Sequence, residues 1–271
     1  MTHRLFEEKN HASIYQKYRM TPPVGVKEIV LQYLDKKKGP PHELAVDLGC
    51  GTGQNTRLLA PHFQEIVGID VSENQLEEAR AVPGFTNITY RAGTAEELPF
   101  PNGSVDLLTA ASAAHWFDQE RFLKEAERVL KPGGCMALLG YTNQFHFSYG
   151  TCGDRLDTIY NEVKDVLLPY TSGQIAVTNS KLQDLYEAIP FPDKERIDGI
   201  PGKMQMSVKR VMGLFESFSM YQTFLRKDPS AAEALIKSTT ARFLKSMDVS
   251  SVDTMLEVST LYYCVLACKP K

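Results

Sequence analysis

The run Val46-Asp47-Leu48-Gly49-Cys50-Gly51-Thr52-Gly53 reads as a short apolar strand that breaks into a glycine turn. Glycine at every second position lets the backbone bend sharply and approach a ligand where any Cβ would clash. The residues after Gly53 read as a helix, whose first N–H groups are free and whose N-terminal end carries partial positive charge. The spacing is G-x-G-x-G. The dinucleotide fingerprint needs its third glycine one residue later, where Gln54 stands. Asp47 lies inside the strand, two residues before the first glycine, and a pyrophosphate is repelled by a carboxylate aimed into its turn. A ligand with a cationic head and no phosphate accepts one. S-adenosylmethionine carries a sulfonium and an amino group, so these residues favour it over a nicotinamide cofactor. Taken alone, the turn also suits a plain strand-to-helix loop.

Outward from this turn, the chain alternates strand and helix patterns as far as Tyr141. Leu44–Leu48 is the first strand, and residues 55–61 form a short helix. Residues 66–70 are a second strand, followed by Ser72-Glu73-Asn74-Gln75, a capping box that starts a helix through Arg80. Residues 88–92 and 105–110 are the third and fourth strands. A helix over 119–130 carries Phe122, Leu123, Ala126, Val129 and Leu130 on one face. Lys131-Pro132-Gly133-Gly134 ends it, and a fifth strand runs from Cys135 to Tyr141. Short apolar strands separated by helices predict a parallel sheet covered on both faces. Right-handed crossovers then bring the strand C-termini to one edge, where open α/β sheets bind ligands.

Beyond Tyr141 the alternation stops. Helices are expected over 155–168, 181–189 and 208–224, a strand over 194–200, and a helix from Asp228-Pro229 to Met247. Residues 261–268 form the last strand, antiparallel at the sheet. The expected division is an N-terminal helical lid over 1–42, a cofactor-binding core from 43–142 and 256–271, and a mainly helical substrate or lid region over 143–255.

The 271 residues are 43% hydrophobic and carry a net charge of −3, enough for a sizeable core and without a basic stripe for a phosphate backbone. A nucleic-acid partner is therefore not expected, and Lys36-Lys37-Lys38 reads as a solvated helix end. No apolar run is long enough to span a bilayer, so a membrane partner is not expected either. Met1–Glu8 lacks the apolar stretch of a secretion signal, which makes cytoplasmic residence the expectation. Five irregularly spaced cysteines fit a reducing compartment. Cys264 and Cys268 share one face of the last strand, where core packing is a better reading than zinc. No metal site is expected.

Four ordered segments resemble the motifs of class I S-adenosylmethionine-dependent methyltransferases. They are residues 46–53, Val67-Gly68-Ile69-Asp70-Val71-Ser72, residues 93–100 and Val129-Leu130-Lys131-Pro132-Gly133-Gly134. A closer similarity, to the trans-aconitate methyltransferase family, rests on Tyr15-Gln16-Lys17-Tyr18-Arg19 with Pro22-Pro23, Ala114-His115-Trp116-Phe117-Asp118, Gly140-Tyr141, and Phe218-Ser219-Met220-Tyr221 with Asp228-Pro229. That family carries tryptophan where Phe218 stands. The resemblance implies a doubly wound, Rossmann-like α/β fold. Its mostly parallel seven-stranded sheet ends in an antiparallel strand, and a helical lid is inserted after the fifth strand.

The resemblance also implies roles. Asp70, at the end of the second strand, would accept both ribose hydroxyls of S-adenosylmethionine. Asp47 would anchor the methionine amino end, and Gly49, Gly51 and Gly53 would shape the turn. Val71, Thr94, Ala95 and Glu96 would frame the adenosine. Ala111, Ser112, His115 and Trp116 would border the methionine portion. Tyr15 and Arg19 belong to an N-terminal lid, with Arg19 placed to pair with the cofactor carboxylate. Trp116, Tyr141, Phe218 and Tyr221 are the candidate acceptor contacts, and His115 is the first candidate base. The expected reaction is transfer of a methyl group to a small acceptor, with S-adenosylhomocysteine as product. An organic-acid carboxylate, ionised near neutrality, needs no base. A lipophilic phenol, quinone or sterol-like acceptor is the second reading, suggested by aromatics near Phe215, Phe218 and Tyr221. A catalytically silent binding protein is the third. Arg155, Arg196, Arg210 and Arg226 are all candidates to bind an acid, and the sequence does not rank them.

Overall fold

The computed structural model describes Tyr18, residues 22–171 and residues 182–271. Helix α1 (Val24–Lys37) precedes the sheet. The alternating part follows as β1 (Leu44–Leu48), α2 (Gln54–Leu59), β2 (Glu65–Asp70), α3 (Glu73–Arg80), β3 (Ile88–Ala92), β4 (Val105–Ala111), α4 (Gln119–Val129) and β5 (Leu130–Tyr141). Then come β6 (His146–Ser148), α5 (Gly153–Leu167), α6 (Gln183–Ala188), β7 (Asp193–Ser207), α7 (Val208–Glu216), α8 (Ser219–Lys227), α9 (Pro229–Met247) and β8 (Met255–Cys268).

The strands lie in the order β3-β2-β1-β4-β5-β8. The first five are parallel, and β8 is antiparallel to β5. The chain order reverses between β1 and β4, which opens a crevice at their C-terminal ends. Strand β7 pairs with β8 along one edge, from Asp193↔Cys268 to Ser207↔Met255. On the other edge β5 ends at Tyr141↔Tyr262, and β6 continues at His146↔Ser259. Among the described residues, eight strands thus fill seven positions, one more strand than the sequence predicts. The extra strand is β6, three residues with no periodic signal of their own.

Local signals fix most helix starts. The hydroxyl of Ser72 accepts the Gln75 N–H at 3.4 Å, one half of the expected capping box. The other half is not formed, because the Ser72 N–H donates to Asp70 instead. The carboxylates of Asp118 and Asp228 cap α4 and α9. Each face of the sheet buries a helix stripe. Val26, Val30 and Leu34 of α1 pack on one side, and Phe122, Leu123, Ala126 and Val129 of α4 on the other. Each large side chain so buried contributes about 1.5–3 kcal/mol. Cys264 and Cys268 are buried, as the packing reading expects.

The larger departures fall in four elements, one of them β8, which begins at Met255, six residues early. Strand β5 begins at Leu130, five residues early, because Lys131–Gly134 stays within the ladder as an irregularity, with Gly133 at φ 76°. Strand β7 begins one residue early, at Asp193, and runs on to Ser207, because all of β8 templates it; its bulge falls between Ile197 and Ile200. The single helix expected over 208–224 is two. The Ser217 hydroxyl donates back to the Leu214 carbonyl at 2.6 Å, and Phe218 turns extended at ψ 135°.

At the opposite edge from the crevice, Asp106 of β4 ties the sheet to its surroundings. Its carboxylate accepts the N–H groups of Glu43 (2.7 Å) and Leu44 (2.8 Å) and meets Lys38 and Lys131 at 3.0 Å each. Burial pushes the Asp106 carboxyl up, but these hydrogen bonds outweigh it and hold the carboxyl below its usual range. Asp106→Ala is expected to cost about 2 kcal/mol by orphaning these donors. Chemical denaturation checks the loss, and ligand affinity of the folded variant should not change.

Candidate active site

The crevice beside β1 and β4 opens into a cleft of about 240 Å³. Backbone hydrogen bonds lace its floor: the Cys50 N–H donates to the Ile69 carbonyl at 3.0 Å, and the Gly93 N–H to the Asp70 carbonyl at 3.0 Å. The loops after β1, β2 and β3 are thereby held in one register.

The glycine turn is built for close approach. Gly49 sits at φ 61°, and a Cβ there would lie 2.4 Å from the Ala113 Cβ. At Gly53 (φ 77°) a Cβ would lie 2.1 Å from the Tyr90 hydroxyl, whose ring also fills the space above Gly68. Tyr90 on β3 therefore braces the turn from behind, and Arg57 does so from α2, donating to the Thr52 carbonyl at 2.8 Å. Gly53 faces this brace and is not among the residues that line the cleft.

Asp47 is fully buried and lines the cleft. Its oxygens accept from Asn55 Nδ2 (2.9 Å) and Thr56 Oγ1 (2.6 Å), which pins α2 to β1. Burial pushes its carboxyl up to about 6, against these hydrogen bonds. Asp70 accepts the Gly51 N–H at 2.8 Å on one oxygen and the Ser72 N–H at 2.9 Å on the other. Each oxygen keeps a lone pair for a further donor. Burial raises the Asp70 carboxyl as well. A fully buried and a half-buried carboxylate on one cleft suit a cationic ligand and disfavour a diphosphate.

Val71, Thr94, Ala95, Glu96, Ala111, Ser112, Trp116 and Tyr141 also line the cleft. Val71 is an exposed apolar side chain at 50%, available to cover a flat ring. Glu96 accepts the Asp118 N–H at 2.8 Å, so its carboxylate is engaged in holding the start of α4. Ser112 is left-handed at φ 57°, with its N–H on the Leu139 carbonyl at 2.7 Å. Such a backbone costs about 1–2 kcal/mol in a residue with a Cβ. Ser112→Gly should therefore raise stability, by about 1 kcal/mol at most once the added freedom of glycine is counted. A denaturant midpoint checks this, and unchanged ligand affinity would show that the Ser112 hydroxyl is not used.

Five other predicted contacts are placed elsewhere or not described. The His115 ring lies tilted against Trp116, centroids 4.9 Å apart, and is not among the residues that line the cleft. Phe218 is buried against Phe145 at 6.1 Å, and the Tyr221 hydroxyl donates to the Ala232 carbonyl at 3.3 Å. Both belong to the aromatic core, because α7 and α8 turn their apolar faces inward. Tyr15 and Arg19 lie outside the described residues.

Sequence reasoning missed Thr52 and Gln75. Both are buried and line the cleft, and neither Thr52 Oγ1 nor Gln75 Oε1 has a hydrogen-bond partner. Buried polar atoms without partners are costly, and at a ligand cleft they are matched by ligand groups. A polar residue one turn into α3 gives no sequence signal of this. Phe117 and Tyr262 were missed too; with Trp116 and Tyr141 they make an aromatic wall, Tyr141 and Tyr262 lying 5.5 Å apart.

A parallel sheet with one antiparallel strand, a braced glycine turn, an acid ending β2 and orphaned polar atoms facing one cleft define a class I methyltransferase fold with a cleft fit for S-adenosylmethionine. A methyltransferase-domain family model matches residues 46–138. An uncharacterised methyltransferase-like protein of Schizosaccharomyces pombe is 30% identical over 215 residues, covering 78% of this chain and 77% of that protein. A Saccharomyces cerevisiae protein named as an S-adenosylmethionine-dependent methyltransferase is 23% identical over 274 residues, covering 92% of this chain and 93% of its own. In fold, the chain is similar to a protein from Anaeromyxobacter dehalogenans named as a type II methyltransferase. The TM-score is 0.73 at 22% identity, over 90% of this chain and 97% of that one. The chain belongs to the S-adenosylmethionine-dependent methyltransferases. Among the described residues, no helix is long and apolar enough to cross a membrane, and no cluster of His, Cys, Asp and Glu is arranged to hold a metal.

Proposed function

We propose that this enzyme methylates a carboxylate of a small organic acid, forming a methyl ester. The observation that carries the reading is the commitment of the cleft's acids. Asp47 is held by Asn55 and Thr56, Asp70 by two backbone N–H groups and Glu96 by the Asp118 N–H. His115 lies off the cleft wall. A carboxylate acceptor is already ionised near neutrality and asks for no base, whereas a phenol or amine asks for one.

In this reading Asp70 and Gln75 take the ribose hydroxyls, and Val71 with Thr94, Ala95 and Glu96 frames the adenine. The buried Asp47 charge favours the cationic amino end. Ala111 and Ser112 bring backbone alongside the methionine portion. Bound S-adenosylmethionine supplies an electrophilic methyl group on sulfur, and its leaving group is a neutral thioether. The chain's share of catalysis is position and water exclusion: Trp116, Phe117, Tyr141 and Tyr262 surround the acceptor end with aromatic surface. No proton is released when a carboxylate is esterified, so no proton acceptor has to be supplied.

The aromatic wall also favours a second reading, a lipophilic phenol, quinone or sterol-like acceptor. Radiolabelled methyl transfer across a panel of organic acids and phenols tests both. A base-labile labelled ester supports the first. A base-stable ether or C-methyl product overturns it in favour of the second. Tight S-adenosylhomocysteine binding with no product from either set points to a catalytically silent protein.

A further inference from the structure

The four arginines that the sequence offers to an acid, Arg155, Arg196, Arg210 and Arg226, are not among the residues that line the cleft. The acceptor end is bounded by aromatic surface, and that wall has a support outside the cleft. Tyr262 of β8 is buried and lines the cleft. It pairs with Tyr141 of β5, and the two rings lie 5.5 Å apart. On its other side β8 meets β7, where Tyr262 pairs with Ile200 and Thr260 with Gly202. Gly202 is therefore the diagonal neighbour of Tyr262, and an aromatic side chain can reach that far across a sheet. The Tyr262 ring does so and lies over the buried Gly202.

The ring fits there only because residue 202 has no side chain. A Cβ at Gly202 would lie 2.4 Å from Tyr262 Cε2 and 2.8 Å from Tyr262 Cδ2. Carbon atoms in ordinary contact lie about 3.5–4.0 Å apart, so the ring would have to retreat by about 1 Å. Retreat from β7 carries it towards Tyr141 and the cleft. Backbone conformation does not ask for glycine at this position, since Gly202 is not at positive φ. A ring laid over a glycine also steadies a sheet edge. That role alone would affect stability and leave the choice of acceptor untouched.

We infer that Gly202 is a positioning residue for methyl transfer: by leaving room for the Tyr262 ring, it sets the width of the acceptor that the aromatic end admits. This inference rests on placing the acceptor against the aromatic wall, which the organic-acid and phenol readings share. Strand β7, whose residues do not line the cleft, thereby takes part in specificity through β8.

The test is calorimetry on the full chain loaded with S-adenosylhomocysteine. Benzoate and 2-naphthoate serve as a narrow and a wide acid, and phenol and 2-naphthol as the matching phenols. Wild type should bind the wide member of a pair at least as tightly as the narrow one. Gly202→Ala should weaken the wide member about tenfold and leave the narrow one, and S-adenosylhomocysteine itself, within about twofold, as expected for an overpacked wall. Where a wide compound is methylated, the same variant should raise its KM and hold kcat within about threefold. Tyr262→Leu removes the ring that would be displaced, so adding G202A to Y262L should change nothing further. An unchanged affinity for the wide member in G202A overturns the role of Gly202. So does an equal loss on both widths, the mark of a general folding defect, and so does a loss that persists in the Y262L background. If wild type binds the phenols and not the acids, the organic-acid reading falls, and the same comparisons on the phenols judge Gly202. If it binds none of the four, Gly202 has no acceptor to position and its role is overturned; ester formation across the acid panel then decides the organic-acid reading by itself.

Discussion

Asp70→Ala should weaken S-adenosylhomocysteine binding by at least about 100-fold, the loss expected when two charge-assisted hydrogen bonds disappear from one site. The carboxylate acts in two directions. Towards the protein, its two oxygens hold the N–H groups of Gly51 and Ser72, so one side chain sets the glycine turn against the start of α3. Towards the cleft, the remaining lone pairs face the space that Gln75 Oε1 also borders. Alanine removes both functions, whereas Asp70→Asn keeps the shape and one acceptor oxygen and should lose less. Folding stability should change little, because the buried charge that strains the carboxyl upward is removed with the hydrogen bonds. Calorimetry with S-adenosylhomocysteine measures the affinity. A dissociation constant within about threefold of wild type would remove Asp70 from the ligand's contacts.

Gln75→Leu offers a milder companion measurement. Its volume is similar and its cap on Ser72 uses only the backbone N–H. It should lose about 1–2 kcal/mol of binding, the worth of one buried hydrogen bond. An increase in thermal stability without ligand would fit the relief of an unpartnered acceptor.

What could be read from the sequence was what local chemistry determines. Ser72, Asp118 and Asp228 cap helices because a short polar side chain can reach the third N–H ahead, whatever surrounds it. Asp47, the turn glycines and Asp70 lie within one strand-turn-helix-strand stretch, so their grouping follows from chain order. Misread features depended on partners far along the chain. Strand β7 is long because β8 is long, and its charged, glycine-interrupted sequence suits a sheet edge that avoids further pairing. Phe218 and Tyr221 looked like an acceptor surface because an amphipathic stripe has the same periodicity whether it meets a ligand or a core. Phe218 packs between Phe145 and Phe215, and the Tyr221 hydroxyl donates to the Ala232 carbonyl, which decides for the core. Thr52 and Gln75 became candidates only once their burial and missing partners were visible.

Asp47→Asn should change how stability and ligand affinity depend on pH. In the folded protein burial moves the Asp47 carboxyl from 3.8 to about 6. The folded state therefore binds a proton more readily than the unfolded chain. Its contribution is fully present below about pH 4 and is lost as pH rises through about 6. The displacement corresponds to about 3 kcal/mol between those limits. Asparagine cannot ionise. It still accepts from Asn55, and the Thr56 hydroxyl can rotate to accept instead of donate. Ligand-free D47N should then gain on wild type steadily from pH 4 to pH 7, by a few kcal/mol at the upper end, as read from paired denaturation curves. Parallel curves would mean that Asp47 is ionised throughout and its burial is relieved by water. The same charge should act on the ligand with opposite sign. An amino group beside a buried carboxylate favours its ionised form, so wild-type affinity for S-adenosylhomocysteine should rise with pH through about 6, and D47N should lose that rise. A variant that is more stable and binds more weakly would identify Asp47 as a charge kept for the ligand at the expense of the fold.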